Sequence, residues 1–233
     1  MKVRPRLLVV VIGAGLSISA GLGCSQSARV HNAVASTEVR LPRPKVTGPI
    51  SVEEALTRRR SVREFSPKDL TIEQVGQLAW AAQGITDIER GARTAPSAGA
   101  LYPLEVYLVK RDGVFHYVPQ GHKLLQLSGE DLRVSLSQAA LGQSPVRAAP
   151  LNIVIAAVYQ RTKVKYGPRA ERYVHIEVGH VGQNLHLQAV ALGLASVSIG
   201  AFEDAAVAKV LDLPSEQSPL YIIPVGYREK GVE

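Results

Sequence analysis

The chain has 233 residues, with 27 lysines and arginines against 20 aspartates and glutamates, for a formal net charge of +7 at pH 7. Lys2, Arg4 and Arg6 lie in the amino-terminal segment, and without them the balance is 24 against 20. That excess is mild, and no basic stripe is interleaved with aromatics, which argues against nucleic-acid binding. Cys24 is the single cysteine, which excludes disulfides within the chain and cysteine-based metal sites.

Met1 to Arg6 carries three basic residues, Leu7 to Ala20 is uncharged and mostly apolar, and small residues lead to Cys24. This is the layout of a secretory signal peptide, and an apolar run of 14 residues is short for a membrane-spanning helix. Residues 1–23 are therefore expected to be a signal peptide. The position of Cys24 suggests a bacterial lipoprotein cut after Gly23, its thiol taking the lipid. The leucine of such a site stands three residues before the cysteine, where this chain has Gly21 with Leu22 following. A plain signal peptide cut near Ala20 or Gly23, or an uncleaved anchor, is the alternative. Residues 24–50, with Ser, Thr, prolines and little periodicity, read as a flexible tether. Residues 51–230 then form one globular domain.

Ser51 with Glu54 is a helix-start signal, and Val52, Ala55 and Leu56 give that helix an apolar side. Thr71 with Gln74 repeats the signal. Ile72, Val75, Leu78, Ala79 and Ala82 form a stripe that Gly84 terminates. Glu105 to Lys110 and Val114 to Val118 are rich in β-formers around Arg111-Asp112-Gly113, predicting a hairpin. Residues 130–142 read as helix, Leu151 to Val158 as a strand buried on both faces, and Ala170 to Leu192 as one long helix closed by Gly193. A strand over Ala195 to Ile199, a short helix over Glu203 to Leu211 and a final strand over Leu220 to Val225 complete the pattern. The order suits an α+β domain with a central mixed β-sheet flanked by helices.

Two segments carry the chemistry. Arg58-Arg59-Arg60-Ser61-Val62-Arg63-Glu64-Phe65 gathers guanidinium groups around a hydroxyl, a set suited to a phosphate because arginine donates paired hydrogen bonds and stays charged. Ala95-Pro96-Ser97-Ala98-Gly99-Ala100-Leu101-Tyr102-Pro103 offers small residues that let backbone pass close to a flat ligand. With Lys165-Tyr166-Gly167, Glu177 to Leu185, and Ile199-Gly200-Ala201-Phe202, these blocks stand in the order seen in the nitroreductase-like flavoproteins. The chain resembles that superfamily from Ser51 to Tyr227, and within it the SagB-type dehydrogenase branch.

The resemblance implies FMN as cofactor. Arg59, Ser61 and Arg63 would hold its phosphate, ribityl chain and pyrimidine edge, and Ser97, Ala98 and Gly99 would line the ring system. Ile199, Gly200 and Ala201 would pack on the other ring face. Many nitroreductases have Asn where this chain has Ala100. Arg228 and Lys230 are the candidates for the basic group that closes the site near the carboxy terminus, with Arg228 preferred. Lys165 and Tyr166 are the catalytic candidates, since a Lys-Tyr pair is implicated in proton removal by azoline-oxidising members. A buried Lys can serve as general base and Tyr can relay a proton. The pair is expected on a loop turned by Gly167-Pro168. His175, His180 and His186 are spaced so that they face different ways on one helix, which argues against a metal site. His180 with Gln183 and Asn184 is expected to make buried hydrogen bonds beside the sheet or at a subunit contact. Trp80 is expected in the core or at a dimer contact.

The function implied is an FMN-dependent oxidoreductase moving hydride between flavin and a small-molecule or peptide-derived substrate. Two alternatives are an NAD(P)H-dependent nitro or quinone reductase and an exported non-catalytic flavin-binding or interaction lipoprotein. A homodimer, a lipid-anchored location on the exported side of a bacterial membrane, and cofactor uptake after export complete the expectation.

Overall fold

In the computed structural model, residues 37–229 are described. The proposed signal segment and Cys24 lie outside them, as do Lys230 and the residues after it.

Two serine/threonine caps start the first helices. Ser51 accepts from the Glu54 N–H at the head of α1 (Val52–Arg58). Thr71 and Gln74 close a reciprocal capping box at the head of α2 (Ile72–Gln83). The hairpin β2 (Ile85–Asp87) and β3 (Ala92–Arg93) comes next, then β4 (Leu104–Lys110), β5 (Gly113–Val118) and β6 (Lys123–Ser128). Helices α3 (Arg133–Ala139) and α4 (Ser144–Ala148) lead to β7 (Leu151–Ala157) and α5 (Tyr159–Tyr166). The chain continues through the long α6 (Ala170–Ala191), the short β8 (Ala195–Ser196), α7 (Asp204–Val210) and β9 (Ser218–Gly226).

Together with β1 (Glu38–Arg40), these strands form a seven-stranded sheet in the order β1-β6-β5-β4-β7-β9-β8. Every ladder in it is antiparallel, so the expected mixed character is confined to one parallel bridge, Ser61 to Ser196. β7 is buried along its whole length because both sheet faces are covered. Ile153 and Ile155 point to one face with Leu78 and Ala82 of α2 and Val178 and Leu185 of α6. Val154 and Ala156 point to the other with Leu136 of α3, Val146 of α4 and Val207 of α7. Fully burying one such branched side chain is worth about 1.5–3 kcal/mol, which makes these two layers the main stabilising term.

Several expectations change. Within the span expected to be tether, Glu38–Arg40 pairs with β6 and Leu41 is buried in the core. Gln77 holds the adjoining segment by bonding both the N–H and the carbonyl of Lys45. The helix expected over 130–142 is shorter, Arg133–Ala139, with Leu141 and Gly142 at positive φ just beyond it, and a second short helix follows from Ser144. Gly193 closes α6 as expected, at φ 69°, with the Leu194 N–H reaching back to Ala189.

The central strands are not paired over their full lengths. β4 pairs with β7 over all seven residues, but with β5 only from Tyr107 opposite His116 to Lys110 opposite Gly113. β5 continues to pair with β6 as far as Val118. The sheet is therefore split between Leu104–Val106 and the end of β5.

Candidate active site

The arginine-rich segment leaves α1 in extended conformation and is laid against the far edge of the sheet. The Val62 N–H donates to Ser196 O at 3.1 Å, and the Ser66 N–H to Tyr227 O at 2.9 Å. Phe65 anchors the segment in the core, while Ser61 and Arg63 stay exposed and Arg59 is half-buried. Phe65 also bridges Arg228, which brings that exposed arginine alongside the same segment. Ile199 is buried, its N–H donating to Ile222 O at 2.8 Å, and Gly200 and Ala201 emerge from it exposed. Gln143 Nε2 fixes Ala201 by donating to its carbonyl at 2.7 Å. Arg59, Ser61, Arg63, Arg228 and the Ile199–Ala201 turn thus gather about the β8–β9 edge.

His186 ties this edge to α6. Its ring nitrogens lie 2.8 Å from Ser196 Oγ and 2.7 Å from Ser198 Oγ. Burial, with a smaller push from the Arg59 charge, lowers its pKa to about 4, so a neutral imidazole donates to one serine and accepts from the other. The other histidines of α6 are placed differently. His175 meets the Tyr159 hydroxyl at 2.6 Å, while His180 and Gln183 are exposed. Buried hydrogen bonds are made instead by Asn184, which donates to the Ala81 and Thr94 carbonyls, both at 3.2 Å.

The small-residue segment forms a single 3-10 turn over Ala98–Ala100. Gly99, Ala100 and Tyr102 sit at φ 64°, 55° and 45°. Only glycine takes that region freely, so Ala100 and Tyr102 each cost about 1–2 kcal/mol. Four contacts hold the conformation. The Tyr102 N–H donates to Ser97 Oγ at 2.9 Å, the Arg93 N–H to the Tyr102 hydroxyl at 3.2 Å, and Arg161 Nη1 to the Tyr102 carbonyl at 3.1 Å. The Arg93 guanidinium lies 4.4 Å from the Tyr102 ring centroid.

Lys165 and Tyr166 are not on a loop. They are the last residues of α5, and the turn expected at Gly167 comes directly after them at φ 52°. Their side chains converge over the small-residue turn, because a Cβ on Gly99 would lie 2.9 Å from both Lys165 Nζ and Tyr166 Oη. Tyr166 is steadied by an edge-on contact with Tyr173, ring centroids 4.9 Å apart. Lys165 is exposed in the single chain.

Sequence reasoning missed the group behind the turn. Glu177, on α6, is 2% exposed. Burial raises its pKa to about 7, although Ser97, Gln83 and Arg93 work in the opposite direction. Its Oε1 has no hydrogen-bond partner, and neither does Gln83 Nε2, because Gln83 turns its Oε1 to Arg93 Nη1 at 2.9 Å. In the sequence Glu177 stands only as the first residue of one resemblance block, with no role attached to it.

Among the described residues no hydrogen bond joins the Arg59 group to the Gly99 group. Both are carried by α6, where Glu177 backs one and His186 the other. Nine residues separate them, a rise of about 13–14 Å along the axis. A cationic, hydroxyl-bearing group and a group of small residues suit the two ends of a phosphate-bearing cofactor with a flat ring system. The exposed Ser61, Arg63, Gly99, Gly200 and Ala201 leave it room to approach.

Known proteins resemble this chain in sequence and in fold. A Methanocaldococcus jannaschii protein provisionally named a nitroreductase is 45% identical over 183 residues, covering 76% of this chain and 91% of that protein. The microcin B17-processing protein McbC of Escherichia coli is 27% identical over 155 residues, 62% of this chain and 57% of McbC, so the match spans little more than half of that relative. A crystal structure from Ralstonia eutropha, also provisionally named a nitroreductase, superposes with a TM-score of 0.75 at 26% identity, covering 83% of this chain and 90% of the other. The nitroreductase family model matches residues 56–227, which takes in both walls of the site, and the chain belongs to the nitroreductase family.

Proposed function

We propose that the protein is an FMN-dependent oxidoreductase that transfers hydride between the flavin and an organic substrate. The observation that carries this reading is the meeting of Lys165 Nζ and Tyr166 Oη at Gly99, in the turn proposed to line the cofactor. Bound there, FMN would supply a two-electron hydride acceptor or donor. Arg59, Ser61 and Arg63 would bind the anionic end, with Arg228 beside them. Ser97, Ala98 and Gly99 would face the ring system, and Ile199, Gly200 and Ala201 would close against it. Lys165 would take a proton from the substrate or return one, with Tyr166 orienting it.

A homodimer is part of this reading and rests on the resemblance to the nitroreductase-like flavoproteins. The SagB-type reading, dehydrogenation of a small or peptide-derived ring, is supported by the Lys165-Tyr166 placement and by the likeness to a microcin-processing protein. The second reading, reduction of nitro compounds or quinones by NAD(P)H, is favoured by the 45% identical relative with its provisional nitroreductase name. Export and lipidation at Cys24 are supported by the amino-terminal sequence alone. Intact mass of the chain purified from membranes tests them, a diacylglyceryl adduct on Cys24 being the expected result.

To test the function, the chain is purified with FMN and NAD(P)H is added anaerobically. Flavin absorption at about one equivalent is expected. Bleaching by NAD(P)H selects the reductase reading. Resistance to NAD(P)H, with bleaching by an azoline that Lys165→Ala abolishes, selects the dehydrogenase reading. Absence of flavin at saturating FMN overturns both and leaves the non-catalytic alternative.

A further inference from the structure

The split between β4 and β5 opens into a cavity of about 220 Å³ that the proposed cofactor site does not use. An apolar cavity of about 150 Å³ accommodates a benzene ring, so this one has room for a six-membered ring and a small polar substituent. Its walls divide by chemistry. Leu104, Val118 and Pro119 contribute apolar surface, while Arg93, Glu105, His116 and Arg161 present charged or ionisable groups.

The charges do not balance. Glu105 is shared, with its Oε2 at 2.7 Å from His116 Nε2 and its Oε1 paired with Arg161. Burial raises the Glu105 carboxyl, but His116 and Arg161 outweigh it and hold the group below the usual glutamate value, so it is ionised at neutral pH. One carboxylate therefore answers Arg161. Arg93 is left over. It is half-buried, spends Nη1 on Gln83, and makes no ion pair among the described residues, with Glu105 and Glu177 acting on it only at longer range. Desolvation lowers its pKa, as holding a cation partly out of water does. Gln83, which also lines the cavity, is 1% exposed and leaves its Nε2 without a partner. Strand residues 104–106 add backbone groups with no partner on the β5 side. A half-buried guanidinium without an ion-pair partner, lining a slot that Leu104, Val118 and Pro119 also line, is a recognition element for a planar monoanion.

We propose that the β4–β5 opening is a second binding site, for a small organic carboxylate whose charged end pairs with Arg93 and whose apolar body fills the slot beside Leu104 and Pro119. Occupancy is coupled to the turn at Gly99, since Arg93 bonds and stacks on Tyr102 and Arg161 bonds the Tyr102 carbonyl. The inference does not depend on which hydride reaction the protein performs.

The test is calorimetric titration of the full chain with cyclohexanecarboxylate and with its neutral analogue cyclohexanecarboxamide. The carboxylate is expected to bind at least tenfold more tightly than the amide. Arg93→Gln is expected to weaken carboxylate binding at least tenfold. Glu105→Gln, which removes the competing anion and releases Arg161, is expected to tighten it at least threefold, a gain that partial unfolding cannot produce. Equal affinity for acid and amide, variants that both leave the carboxylate within twofold of wild type, or direct competition by FMN would overturn the proposal.

Discussion

Glu177→Gln separates a buried charge from a buried shape. The substitution keeps the size of the side chain and removes the ionisable carboxyl that lies 2% exposed behind Ser97. In the folded chain its pKa is raised to about 7 from 4.5, so between those values the native state holds a proton that the unfolded state has released. Stability then falls as pH rises through this window and stays reduced above it. A shift of that size, net of the opposing effects of Ser97, Gln83 and Arg93, corresponds to about 3 kcal/mol. Urea unfolding of wild type and variant at pH 5, 6, 7 and 8 reads the difference directly. The variant is expected to gain about 1–3 kcal/mol on wild type between pH 5 and pH 8, with most of the change between pH 5 and 7. A difference independent of pH would mean that Glu177 titrates alike in both states, and the linkage drawn from its burial would be wrong.

Three further outcomes rest on local geometry. Gly99→Ala places a methyl group 2.9 Å from both Lys165 Nζ and Tyr166 Oη at a φ of 64°, and should cost about 1–2 kcal/mol by urea unfolding. Turnover should fall by about 10–100-fold, since displacement of catalytic groups by about 1 Å carries a penalty of that order. Gly226→Ala meets Pro150 Cδ at 2.6 Å and Phe65 Cδ1 at 3.1 Å, rigid groups in the core, and should destabilise by about 1–3 kcal/mol in the same assay. His186, lowered to about 4 from 6.5, binds its proton more readily unfolded, so wild type should lose up to about 3 kcal/mol as pH falls from 6.5 to 4. A His186→Gln variant should lack that acid-side loss.

Local signals were legible where local chemistry decides. The Thr71 capping box, the β4–β5 hairpin, the doubly buried β7 and the Gly193 stop on α6 all stand as read. Elements settled by distant partners were not. β1 is three residues, Glu-Val-Arg, with no alternation to mark it, and exists because β6 offers an edge. β6 itself, Lys-Leu-Leu-Gln-Leu-Ser, has no β-branched or aromatic residue. α5 is mostly polar, Tyr-Gln-Arg-Thr-Lys-Val-Lys-Tyr, and read as loop although it is a helix carrying the catalytic candidates. The phosphate segment and small-residue turn were visible as compositions, but Glu177, His186 and the Arg93–Glu105–Arg161 group became meaningful only when the fold brought them together. Their partners lie from about ten to more than ninety residues away in sequence.

The most direct measurement is titration of FMN with the chain, followed by flavin fluorescence, for wild type and Arg59→Ala. Quenching that saturates at one FMN per chain, with affinity at least tenfold weaker in the variant, is expected if the arginine-rich segment holds the cofactor phosphate. Fluorescence unchanged by excess protein, or identical titrations for the two chains, would contradict it.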